Sequence, residues 1–129
     1  HIFVYIVIHC IYNSMNVILH NKEIPLEIMD TPNAIETGMM GREYLEGGML
    51  FIFSNVSERS FWMKDCVMSL DIVFIVNGKV TKVYYDCPPC DKSKCISYYG
   101  IADKVLELES NKYSIREGDT LEFTDQSFL

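Results

Sequence analysis

The residues able to do chemistry in this 129-residue chain concentrate in two stretches. The first, FWMKDCVMSLDIVF (61–74), sets Lys64, Asp65 and Asp71 inside two otherwise apolar runs, with Trp62 two residues before Lys64. A lysine beside an indole ring and a carboxylate can line a binding site for a small anionic or carbohydrate-like ligand: the ring supplies stacking area and the cation orients an acid or hydroxyl. It can equally serve a hydrolase, possibilities extending to a nuclease, with Asp71 as general base or metal-holding carboxylate and Lys64 stabilising developing negative charge. The plain reading of the same residues is a solvated sheet face with a weak ion pair. The second stretch, CPPCDKSKC (87–95), spaces Cys87, Cys90 and Cys95 as C-x2-C-x4-C. Three outcomes fit it: a zinc site needing a fourth ligand from Cys66, Asp86, Asp91 or a distant histidine, a Cys90–Cys95 disulfide pinning the loop, or plain thiols.

Other catalytic constellations are thin. The histidines are His1, His9 and His20, all near the N-terminal end, and His20 reads as a solvated edge residue beside a turn. There is no G-x-S-x-G, P-loop or H-E-x-x-H, so the usual hydrolase, nucleotide and zinc-protease machineries have no anchor. Glu107 and Glu109 alternate with Leu106 and Leu108 in KVLELE, which reads as a strand with its carboxylates on the surface. The seven methionines read as adaptable core filler rather than soft-metal ligands.

These residues must be positioned by one domain. Apolar residues make up 49% of the chain, which fits an ordered globular protein. The net charge of −7 disfavours broad nucleic-acid binding, since it repels phosphate backbones and only Lys92 and Lys94 cluster. Residues 1–14, HIFVYIVIHCIYNS, form an apolar leader or read-through segment expected to stand apart from the core, with Met15 as the expected start of the domain 15–129. This run of about a dozen apolar residues is short of the ~18 needed to span a bilayer.

From Met15 the chain reads as mainly β. NVILH and EIPLEIMD form a hairpin turning near Asn21-Lys22, and a short helix near residues 32–40 starts with Thr31 as cap and Pro32 in the first turn. GMLFIF, RSFWM, LDIVFIV, KVTKVYYD, KVLELE and TLEFT supply further strands. Asn77-Gly78 is a strong two-residue hairpin signal. Propagating its register pairs Ile72 with Val83, Phe74 with Thr81, Val73 with Lys82 and Asp71 with Tyr84. That places Ile72, Phe74 and Val83 on a core face and Asp71, Lys82 and Tyr84 on the other. Seven or eight strands with one helix predict a single-domain β-sandwich or partly open barrel.

GMLFIF, FWMKDCVMSLDIVFIVNGKV, VLELES and IREGDTLEF together resemble the DUF192 (UPF0127) family, whose pattern runs R-G-L-M-x-R, G-M-L-F-x-F, F-W-M-K-N-T, L-D-I-x-F and a late G-D. Arg42, Gly48, Met49, Trp62, Lys64, Asp71, Gly118 and Asp119 fall on matching positions. The chain departs from the pattern at Asp65 and Cys66, where Asn and Thr are usual, and at Ser69, where Pro is common. The resemblance implies a mainly-β, sandwich-like domain and no particular activity. Relatives are similar in carrying a P-P-C…C-x-x-Y stretch, with Tyr98 at its last position, which suits a loop-pinning role for the cysteines. It also favours one shared site containing Arg42, Trp62, Lys64 and Asp71.

Overall fold

The computed structural model describes residues 15–91 and 93–125; residues 1–14, expected to be a leader or read-through segment, lie outside the described residues, as do Lys92 and 126–129. Among the described residues seven strands form one sheet: β1 Met15–Leu19, β2 Lys22–Met29, β3 Gly48–Phe61, β4 Leu70–Val76, β5 Lys79–Cys87, β6 Tyr98–Glu109 and β7 Glu122–Asp125. Their order is β5-β4-β6-β3-β2-β1-β7. Every neighbouring pair is antiparallel except β2 and β3. A parallel pair needs a crossover, and residues 30–47 supply it with helix α1, Pro32–Thr37. The helix starts as its sequence dictates: the Thr31 hydroxyl accepts from the Ala34 amide, and Pro32 stands where no amide is needed.

The sheet curls until its two ends meet at one place. The Val80 amide donates to the Asp119 carbonyl (2.9 Å) and the Leu121 amide to the Gly78 carbonyl (2.7 Å), but no continuous ladder closes the ring. The fold is thus a partly open barrel, and both faces of its central strands are covered. Inside, Val73, Ile75, Val83, Leu106 and Leu108 join Val17, Ile24 and Leu50. Outside, Ile72, Phe74, Met49, Phe51 and Val105 pack under the crossover and the 62–70 segment with Met39, Leu45 and Met63. No helix among the described residues is long and apolar enough to cross a membrane.

Two expectations of pairing are corrected. The first hairpin turns at His20-Asn21 (φ 49° and 64°), one residue earlier than expected, because both central residues of this turn type need positive φ. The β4–β5 hairpin does turn at Asn77-Gly78, with Val76 opposite Lys79 and Ile75 opposite Val80. Beyond that point Thr81 is an extra residue, its hydroxyl donating to the Phe74 carbonyl (3.1 Å). Phe74 therefore pairs with Lys82, Val73 with Val83 and Ile72 with Tyr84. The bulge separates Val83 from Ile72 and Phe74, which belong to opposite sides of the sheet. Lys82 pairs with Glu117 (3.9 Å), not with Asp71.

Candidate functional site

β3 leaves its ladder between Ile52 and Ser57, where five steps on β3 face two on β6. Arg59 ties this bulge down: its guanidinium donates to the Asn55 carbonyl and side chain and to the Ala102 carbonyl, and it lies 4.0 Å from the Phe53 ring centre. The Phe53 ring meets Phe61 edge-on, and Phe61 meets Phe51 and Phe74 in the same way. Chain 62–66 follows, pinned on both flanks. The Cys90 amide donates to the Met63 carbonyl (3.3 Å), and the Gly41 amide to the Asp65 carbonyl (2.8 Å). Met63 points into the core, while Trp62 stays 47% exposed.

Between this segment, α1 and the bulge lies a cavity of about 340 Å³. Met39, Phe51 and Glu107 are its buried floor, Phe53 and Phe61 its walls, and Trp62 and Lys64 stand at the mouth. The Lys64 ammonium sits 5.2 Å from the Trp62 ring centre and makes no ion pair among the described residues. That volume is in the range of small-molecule sites.

Glu107 is the residue that sequence reasoning misplaced. It is 4% exposed, not a surface carboxylate, because β6 is a central strand covered on both faces. Its register neighbours are Met49 on β3 and Ile72 on β4, both fully buried. Among the described residues no group donates to its carboxyl or pairs with it. Burial pushes it up to about 8, so at neutral pH it is mainly the uncharged acid. A usable signal was Val105, which alternation puts on the same side as Glu107. The Cys66 thiol, also lining the cavity, is pushed up to about 11 by burial and then by the charges of Glu107 and Asp65.

The other expected site residues lie elsewhere. Asp71 is 1% exposed and accepts from the Asp86 amide (2.8 Å) and, more weakly, the Asn111 amide (3.4 Å). A second bulge on β5, at Tyr85-Asp86 with Asp86 at φ 55°, lets the first bond form. Asp71 borders a shallow cleft with Tyr85 and residues 111–116, a different recess from that of Lys64. Arg42 is committed to Glu27 through two bonds of 2.7 Å and lines neither. Thus the structure brings Trp62 and Lys64 together and separates them from Arg42 and Asp71. His20 is half-exposed and pairs with Asp119 (3.2 Å).

Cys90 and Cys95 are joined in a disulfide, whereas Cys87 is a free, buried thiol. Burial pushes Cys87 up to about 11, against a hydrogen bond with Tyr98. Zinc at Cys87, Cys90 and Cys95 would require thiolates that this pairing removes. Among the described residues no group of three or more candidate ligands could hold a metal ion.

A family model, DUF192, described as an uncharacterized ACR, matches residues 15–123. Among solved structures, the chain is similar to a "putative transcription regulator" of Sinorhizobium meliloti 1021, with 25% identity and a TM-score of 0.73, covering 85% of this chain and 92% of that one. It is also similar to a protein of unknown function from Novosphingobium aromaticivorans DSM 12444, with 26% identity and a TM-score of 0.70, covering 84% and 83%. No curated protein matches the chain.

Proposed function

The chain belongs to the DUF192 family, and from that premise we propose that this member is a binding module for a small anionic or carbohydrate-like ligand held in the Trp62–Lys64 cavity. The observation that carries the reading is the mouth itself. Lys64 lies over the Trp62 ring with no carboxylate partner among the described residues, in front of a cavity of about 340 Å³ walled by phenyl rings. The ring would stack on a sugar or planar face, and the ammonium would orient an acid or hydroxyl. Arg59 also borders the cavity, but its hydrogen bonds commit it to the bulge, which leaves Lys64 as the mouth's uncommitted cation.

A hydrolase built on Asp71 and Lys64 has less support, because the two line separate recesses and Asp71 is engaged with backbone amides. The net charge of −7 gives no support for nucleic-acid binding by this chain.

Trp62 is the chain's single tryptophan, so its fluorescence reads the mouth directly. Titration with acidic saccharides and small carboxylates is expected to give a saturable change that Lys64→Ala weakens about tenfold, the scale of one charge-assisted hydrogen bond. Absence of any saturable change, or the same affinity in Lys64→Ala, counts against the reading.

A further inference from the structure

We propose that Glu107 is the recognition group at the floor of this cavity and that it takes the amine end of a small organic ligand. The inference deepens the binding reading above and rests on it: the acid or hydroxyl of the ligand meets Lys64 at the mouth, and its amine reaches the floor.

Four observations support an amine. First, Glu107 is buried yet borders the cavity, and among the described residues no hydrogen bond or ion pair engages its carboxyl. Leaving such a group unmatched in an apolar setting is costly, so a ligand that matches it gains more than one that does not. Second, the flanking strands offer it only Met49 and Ile72. Third, the charges lining the mouth cancel: Glu36 and Glu58 against Arg59 and Lys64. At the floor Glu107 is the carboxyl that lines the cavity; its charge, when it ionises, is felt by the Cys66 and Cys87 thiols, and Asp65 acts on Cys66 with the same sign. Fourth, the rings of Phe51, Phe53 and Phe61 line the way in, and aromatic surroundings favour ammonium groups over other ions.

The proton balance follows. With its acid proton retained to about pH 8, Glu107 must release it as an ammonium ligand binds, leaving a carboxylate–ammonium pair. Amine affinity should therefore rise about tenfold per pH unit below pH ~8 and level off above it.

The test is calorimetric titration of the full chain with benzylamine, using benzyl alcohol and benzoate as controls of the same size. Measurements at about pH 6 and about pH 8 in two buffers of different ionisation enthalpy would be repeated on Glu107→Gln. Benzylamine is expected to bind at least about tenfold tighter than benzyl alcohol near pH 8, with one proton released per site near neutrality. Glu107→Gln should erase both the preference and the proton release while keeping the weak binding of benzyl alcohol. If benzyl alcohol or benzoate binds in the cavity as tightly as benzylamine, or the amine preference survives in Glu107→Gln, the inference falls and the binding module stands. If no probe binds and no saccharide or carboxylate perturbs Trp62, both fall together.

Discussion

The Cys90 amide donates to the Met63 carbonyl at 3.3 Å, which ties the disulfide loop to the backbone that presents Trp62 and Lys64. Lys64 and Cys90 are bridge partners, and the Asp65 amide also reaches the Cys90 carbonyl (3.4 Å). The disulfide loop is thus joined to the Trp62–Lys64 segment through main chain.

Replacing both Cys90 and Cys95 with serine should lower unfolding stability by about 2 kcal/mol, the loop-closure entropy of so short a ring. It should also blunt any Trp62 fluorescence response to ligand, because the mouth loses its fixed neighbour. Denaturant melts with and without reductant check the first effect; the wild-type protein should lose the same stability on reduction, while the double variant should not respond.

Asp71 is expected to be structural. Asp71→Ala leaves the Asp86 and Asn111 amides without their acceptor and should cost about 2–4 kcal/mol. Asp71→Asn should cost less but still about 1–2 kcal/mol, since one end of the amide then points a donor at a donor. Urea unfolding of the two variants settles the point. A fully stable Asp71→Asn would mean that the carboxylate is kept for something other than these two amides.

How much of this was legible follows from where the information sits. Thr31-Pro32 and Asn77-Gly78 are local signals, and both produced the elements they announce. The bulges at Thr81 and Tyr85-Asp86 have no such marker: each shifts pairing by one residue, and a period-two argument cannot see it. Trp62 and Lys64 were legible as a pair because they stand two positions apart on one segment, with Met63 between them. Asp71 joins Lys64 through closeness in one stretch of sequence and Arg42 joins them through a shared family pattern, and neither carries distances. Glu107 was hidden because a strand covered on both faces still alternates in sequence like a half-exposed one.

Gly100 gives a packing test of the aromatic wall. A Cβ there would meet the Phe74 ring at 2.5 Å, and Phe74 is fully buried between Phe61 and Tyr84. The ring cannot retreat without disturbing its edge contacts, so Gly100→Ala should destabilise by about 1–3 kcal/mol. Thermal unfolding measures it, and a neutral result would mean that β6 can shift away from β4 at this point.

Glu107 should also mark the pH dependence of stability. In the folded chain its carboxyl keeps its proton up to about pH 8, against an ordinary value of 4.5. Between those values the unfolded chain has released the proton and the folded chain has not, so the unfolded state gains with rising pH. This group's contribution therefore favours folding most below pH 4.5, declines by about 1.4 kcal/mol per pH unit through that window, and is flat above pH 8. Glu107→Gln removes the dependence and should be more stable than wild type at neutral pH by up to about 3 kcal/mol. Urea unfolding of both proteins at intervals across the window is the measurement. Parallel curves would show that Glu107 ionises in the folded state as easily as in water, and the stabilisation expected of the glutamine variant would then be absent at every pH.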